Sequence, residues 1–343
     1  MIKFDWASID PTTIPIVTVD NEEIQNPGEE YFLQYRSLQN LKVIQDMQKP
    51  DDLFLNFSSG SIDTEQIWAL RKKAAECGHL TAQFELGELL CASPDVGDVK
   101  EGIGWIFNAA AAGHAEAQYY LAEHSVYLTN QKQKNAVRMI WTLLAAKNGH
   151  VKAQAFLGEE YYDGKAIRRD LDKAGYWLTA AAKQGDSDSQ LLLGAMYAGR
   201  EGGRNIPEAL KWLHKAARQG NSFAQYMEGY LYCHGPKQYS NPKKGIKLLK
   251  EAAKRREPFA MTELGICYLS GSFVKKEPKK AFEYFQKSAQ EDPKACYMLG
   301  ECYEKGAGVE KDVFEALVWY RRAALRKYAP AAGKLHTMGY HDI

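Results

Sequence analysis

Three histidines, His79, His114 and His150, stand 35 and 36 residues apart, and histidine sets are a common way to hold a zinc ion. The spacing argues against a metal. Ligands of one zinc lie about 2 Å from it, whereas residues one period apart in a regular array are separated by a whole structural unit. Asp186 and Asn221 fill the same slot later, so it reads as a position at the start of a helix. His124 and His234 lack a companion that would complete a metal site or a catalytic triad. The six cysteines, Cys77, Cys91, Cys233, Cys267, Cys296 and Cys302, include no C-x-x-C pair. Cys267 and Cys302 occupy equivalent places in successive units, roughly 10 Å apart by helix-packing distances. A disulfide spans less than about 7 Å, so free thiols in a reducing compartment are expected. Gly199-Arg200-Glu201-Gly202-Gly203-Arg204 lacks the Gly-Lys-Ser/Thr of a phosphate loop, and neither G-x-S-x-G nor H-E-x-x-H occurs. These residues point to no catalytic site, no metal and no cofactor.

What positions them is a repeat. Ala82, Ala117, Ala153, Ser189, Ala224, Ala260, Ala295 and Ala331 recur every 35 or 36 residues. Four residues on stand Leu86, Leu121, Leu157, Leu193, Glu228, Leu264, Leu299 and Leu335. The next position is Gly87, Ala122, Gly158, Gly194, Gly229, Gly265, Gly300 and His336. A tyrosine closes the phrase at Tyr161, Tyr197, Tyr232, Tyr268 and Tyr303. Positions 1, 5 and 9 share one helix face. A second helical pattern follows, with a large residue at Trp105, Trp141, Trp177, Trp212, Leu248, Tyr284 and Trp319, small alanines after it, and a terminating glycine at Gly78, Gly113, Gly149, Gly185 and Gly220. The tryptophan column at helical spacing reads as core. Full helix pairs are expected over 79–113, 114–149, 150–185, 186–220, 221–256, 257–292 and 293–327. A lone second helix over about 63–78 and a lone first helix over about 328–338 would cap the ends. The domain reading is thus an arm and helix over 1–62, a solenoid over 63–338 and a tail over 339–343. In the arm, Pro11, Pro15 and Pro27 indicate extended chain and Glu29 to Gln48 an amphipathic helix, packed on the first repeats or free.

Composition is ordinary for a soluble protein, with a net charge of +1, which gives no global pull toward nucleic acid or membranes. The charge is unevenly spread: residues 1–62 carry ten acids against four Lys/Arg, and 236–292 carry thirteen Lys/Arg against seven acids. Lys243, Lys244, Lys247, Lys250 and Lys254 read as a solvated outer helix face. With no aromatics interleaved for base stacking, nucleic acid is disfavoured as a partner. No signal segment or stretch of eighteen apolar residues is visible, so a cytoplasmic protein without a membrane span is expected.

These phrases resemble the Sel-one-like repeat family, short α/α repeats related to tetratricopeptide repeats. The resemblance rests on A-Q-x-x-L-G-x-x-Y, as in Ala153 to Tyr161, on K-A-x-x-W-x-x-x-A-A-x-Q-G, as in Lys173 to Gly185, and on the G-x-G-V-x-x-D loop of 306–312. It implies an all-α, right-handed α/α superhelical solenoid of about seven Sel-one-like repeats with terminal half-repeats. Members of the family look like adaptors that assemble complexes and are not generally enzymes.

First helices line the concave side in related repeats, so residues opposite the 1/5/9 stripe are expected to line a groove. Position 3 contributes Phe84, Tyr119, Tyr226 and Tyr297, and position 7 contributes Glu88, Glu123, Glu159, Tyr230, Ile266 and Glu301. Tyr127, Tyr162 and His234 come from positions 10 and 11. The aromatic-and-glutamate strip suits a partner protein or peptide with a basic segment, and Tyr226, Tyr230 and Ile266 offer an apolar anchor. The expected function is a non-enzymatic scaffold or adaptor. An immunity or inhibitor protein that wraps a toxin or enzyme is the alternative, and a bacterial effector acting on host proteins a weaker one.

Overall fold

The computed structural model describes Phe32, Arg36 and Gln39, then residues 64–124, 131–199 and 205–340. Among the described residues there is no strand. Phe32, Arg36 and Gln39 are helical, and between residues 64 and 340 the described residues form sixteen α-helices, the first being the lone α1 (Thr64–Glu76). Pairs then run α2 (Leu80–Cys91) with α3 (Val96–Ala111), α4 (Ala115–Glu123) with α5 (Gln131–Lys147), and α6 (Val151–Asp163) with α7 (Leu171–Lys183). They continue with α8 (Ser187–Ala198) and α9 (Ile206–Arg218), α10 (Ser222–His234) and α11 (Pro242–Lys254), and α12 (Pro258–Ser270) and α13 (Pro278–Ser288). The last pair is α14 (Pro293–Lys305) and α15 (Val313–Leu325), and α16 (Ala329–Thr337) stands alone. The chain forms two compact units, Met1–Leu157 and Gly158–Ile343.

In both units the alanine column is the innermost layer: Ala82, Ala117, Ala153, Ala224, Ala260, Ala295 and Ala331 are fully buried. The tryptophans pack less deeply than their neighbours. Trp141, Trp177 and Trp212 are buried, while Trp105 and Trp319 are half-buried. One residue later, Ile106, Thr142, Leu178, Leu213, Leu249, Phe285 and Tyr320 are all at 2% exposure or less. That residue sits on the glycine of its own first helix. A Cβ at Gly158 would stand 2.6 Å from Leu178, one at Gly194 2.6 Å from Leu213, and one at Gly265 2.5 Å from Phe285. The missing methyl is therefore what lets the two helices meet. In the second repeat Ala122 replaces glycine, and the facing position shrinks to Thr142.

Helix ends are set by the same period. Nδ1 of His79 accepts from the Ala82 N–H at 3.2 Å, that of His114 from Ala117 at 3.3 Å, and that of His150 from Ala153 at 3.2 Å. Asp186 and Asn221 do the same through side-chain oxygens at 2.7 and 2.9 Å, so the slot is an N-cap. The glycines that close second helices, Gly78 to Gly220, have φ between 87° and 100°. Arg256 and Lys327 take that left-handed place later, at φ 64° and 63°.

A buried glutamine joins one repeat to the one before it. Gln118 Nε2 donates to the Ala110 carbonyl at 2.8 Å, Gln154 to Ala146 at 3.0 Å, and Gln190 to Ala182 at 2.9 Å. Each bond satisfies a carbonyl near a helix C-terminus. This is the role of the glutamine at these three positions, whereas Gln225 donates instead to Glu251 Oε2 of its own repeat at 2.8 Å.

Candidate protein-binding surface

A first helix in these units is enclosed on more than one side, which changes the expected face. Position 3 points toward the start of the next first helix. Phe84 lies 5.3 Å from the His114 ring, Tyr119 stacks on His150 at 4.2 Å, and Tyr297 meets Tyr328 at 5.5 Å. Phe32 stacks on His79 at 3.9 Å in the same manner. Phe84 is consequently core, only 7% exposed, and not a surface-lining residue as its helical position suggested. Tyr119, Tyr226 and Tyr297 are half-buried. Ile266 is also half-buried, against the core around Leu264. Tyr162 is half-buried, with the Arg169 guanidinium 5.9 Å from its ring. Tyr127 lies outside the described residues.

In the C-terminal unit the rings become continuous. Phe223, Tyr226, Tyr230 and His234 on α10, Phe259 on α12 and Phe273 after α12 form a ladder. Phe223 and Phe259 are 5.4 Å apart, Tyr226 and Phe259 5.8 Å, and Tyr226 and Tyr230 6.0 Å. Tyr230 is 4.6 Å from His234, which meets Phe273 edge-on at 5.6 Å. Tyr230, Phe259 and Phe273 are 39%, 38% and 45% exposed, so the ladder reaches solvent. His234 Nε2 is fixed by the buried Glu263, 2.7 Å away. Burial pushes the hydroxyls of Tyr226 and Tyr230 above the usual phenol range, with the Glu263 charge adding to it.

Three of these rings carried no motif. Phe223 and Phe259 occupy the residue before the repeat alanine, a column read elsewhere as Thr81, Glu116, Lys152, Asp188 and Lys294, with Pro330 in the terminal half-repeat. Two phenylalanines in a polar column were the available signal. Phe273 stands where the next repeat has Gly308.

The glutamates divide by their partners. Glu123 is ion-paired with Arg138 at 3.1 Å and Glu301 with Lys305 at 2.9 Å. Glu88 is exposed, and its carboxyl is pushed upward by partial desolvation and then by Glu116 and Glu85. Glu159 is raised likewise, by desolvation and then by Asp188, Asp186, Asp163 and Glu160. The acidic surface is thus concentrated around Glu88 in one unit and Glu159 in the other.

Among the described residues no cluster of His, Cys, Asp or Glu is arranged to hold a metal ion. All six cysteines are free. No described helix is long and apolar enough to cross a membrane.

Paired helices with a 35-to-36-residue period and a ringed first-helix surface define a helical repeat scaffold suited to protein interaction. The Sel1 repeat model matches residues 115–137, 151–186, 187–221, 222–256, 258–292 and 293–328. The chain belongs to the Sel1 repeat family. It is similar to the crystal structure of a Sel1 repeat protein from Oxalobacter formigenes, at 27% identity over 79% of this chain and 90% of that one, with a TM-score of 0.48. It is also similar to c5321, a protective antigen of uropathogenic Escherichia coli with an SLR fold, at 22% identity over 92% and 82%, TM-score 0.52. Immunity protein Pa5087 from Pseudomonas aeruginosa is 23% identical over 62% and 81%, TM-score 0.40. Among curated proteins none matches the chain.

Proposed function

We propose that this chain is a non-enzymatic adaptor that holds a partner protein or peptide on the first-helix surface of its C-terminal unit. The observation that carries the reading is the aromatic ladder from Phe223 to Phe273, in which three rings are more than a third exposed while their inner neighbours are packed. Exposed rings backed by fixed ones resemble the anchors that dominate binding energy at protein interfaces. Tyr230 and Phe259 would receive a bulky apolar side chain. The acids around Glu159, in the same unit, support a partner with a basic segment, because clustered like charge speeds encounter with an oppositely charged chain.

Panning a displayed random-peptide library on the wild-type protein and on a Tyr230→Ala/Phe259→Ala variant tests this. Peptides enriched on wild type should pair a bulky apolar residue with Lys or Arg, and should lose about tenfold or more in affinity on the variant. Enrichment that survives unchanged on the variant would place the binding surface elsewhere.

A further inference from the structure

On the second-helix side of the same unit, α11 presents Lys243, Lys247, Lys250 and Lys254 at spacings of four, three and four residues, which is one helix face. All four are exposed, and none has an ion-pair partner among the described residues. Together with Ile246, Glu251, Phe273 and Val274 they line an open groove of about 580 Å³. Glu251, the one acid there, is engaged by Gln225 Nε2 at 2.8 Å.

The apolar wall of this groove is unusual in its backbone. The loop after α12 reads Gly271-Ser272-Phe273-Val274, and the loop after α14 reads Gly306-Ala307-Gly308-Val309. Gly271 and Gly306 both have positive φ, at 82° and 69°. Two residues on, Gly308 has φ 82° and Phe273 has φ 63°. A left-handed conformation is an outlier for a bulky side chain, and glycine would take it without strain. The strained residue is nevertheless a phenylalanine, 45% exposed beside a lysine stripe.

From this we infer a second docking surface: the groove between α11 and the Phe273 loop takes an acidic polypeptide segment carrying a bulky apolar side chain. The apolar side chain rests on Phe273, Val274 and Ile246, and the flanking carboxylates meet the four lysines. Unpaired like charges on one face with an apolar floor favour such an occupant over a phosphate backbone, which brings no apolar group to the floor. The lysine stripe, Ile246 and Val274 are no part of the first-helix ladder, while Phe273, its last ring, borders both surfaces.

The probe is a labelled peptide of alternating Asp and Glu around one central Leu, titrated by fluorescence anisotropy onto the full chain. Lys247→Glu/Lys250→Glu should weaken binding about tenfold or more, mainly at low salt. Phe273→Gly should weaken it at every salt concentration while leaving Tm unchanged or higher, since glycine suits that backbone. Tyr230→Ala should leave the probe's affinity as it was, so failure here and failure of the first-helix reading are separable. A peptide with Ser in place of the Leu should bind more weakly. The proposal is overturned if that peptide binds equally, or if Phe273→Gly leaves affinity intact. It is equally overturned if Phe273→Gly lowers Tm as loss of a core ring would, or if a single-stranded oligonucleotide or anionic vesicle outcompetes the peptide.

Discussion

Tyr320 lies flat on Gly300: a Cβ added at the glycine would stand 2.6 Å from both Cδ1 and Cε1 of the ring. The ring is fully buried, and its hydroxyl donates to Glu304 Oε2 at 2.7 Å, so it cannot swing aside without losing that bond. Gly300→Ala should therefore destabilise the chain by about 1–3 kcal/mol, despite alanine's better helix propensity. Gly104, also helical, has no atom within 4 Å of the equivalent point. Gly104→Ala should stabilise by roughly 0.5–1 kcal/mol. Urea melts of both variants check the pair, and a Gly300→Ala protein as stable as wild type would refute the close-packing account.

The period and the stripes were legible because each helix repeats the same packing problem, so alanine, leucine and glycine recur at fixed spacing. The residue that fills the space over the glycine was not legible. It varies among Ile106, Thr142, Leu178, Phe285 and Tyr320, and a column of changing types carries no visible motif. The tryptophan-rich column stands one residue before it and is the more visible of the two. A helical wheel also gives one buried face and one open one, whereas a first helix here touches its own partner and the next repeat. Phe84 was misplaced for that reason. Backbone angles are invisible in sequence, so Phe273 could be flagged only by aligning its loop with Gly306 to Val309. Spacing located Glu123 but could not show its Arg138 partner, which comes from a different helix.

Gln190 should prove a joint between repeats. Its Nε2 donates to the Ala182 carbonyl at 2.9 Å and its Oε1 accepts from Gln219 Nε2 at 2.9 Å. Met261 occupies the equivalent place two repeats later, so the volume suits the slot. Gln190→Met should cost about 1–2 kcal/mol by leaving these groups unpaired. A loss of less than about 0.5 kcal/mol in denaturant melts would mean that the bond is incidental.

Acid should loosen the N-terminal unit through its capping histidines. Burial lowers the His114 and His150 imidazoles, outweighing the opposing pull of Glu116, whose carboxylate lies 3.0 Å from His150 Nε2. Both caps need an unprotonated Nδ1 to accept the N–H. With folded values depressed, the unfolded chain takes up protons first as pH falls below about 6.5, the ordinary histidine value. Stability is then fully present above that pH and declines as pH drops toward the lower folded values. Asn221 caps the same slot without titrating. His114→Asn/His150→Asn should therefore show a smaller fall in Tm than wild type between about pH 7.5 and about pH 5. Parallel curves for the two proteins would exclude this linkage.

Glu228 stands where Leu193 and Leu264 fill the core, and is itself only 1% exposed. Its Oε1 lies 3.2 Å from His214 Nδ1 and 3.4 Å from Lys244 Nζ, yet makes no well-aligned hydrogen bond. Desolvation of a carboxylate is costly, and a half-exposed lysine together with the His214 contact to Oε2 at 3.3 Å recovers only part of it. Lys244 loses nothing essential if the acid goes, because its ammonium also donates to the Tyr232 hydroxyl at 2.8 Å, and both His214 and Lys244 reach water. Restoring the repeat's own leucine removes the buried charge without stranding another. Glu228→Leu should thus raise stability by about 1–3 kcal/mol at neutral pH. Lys244→Met, which leaves the carboxylate with His214 alone, should lower stability by about 1–3 kcal/mol. If Glu228→Leu instead destabilises the fold, the Glu228, His214 and Lys244 trio is a net stabilising device, and the space around Glu228 is shaped for a carboxylate rather than for a branched hydrocarbon.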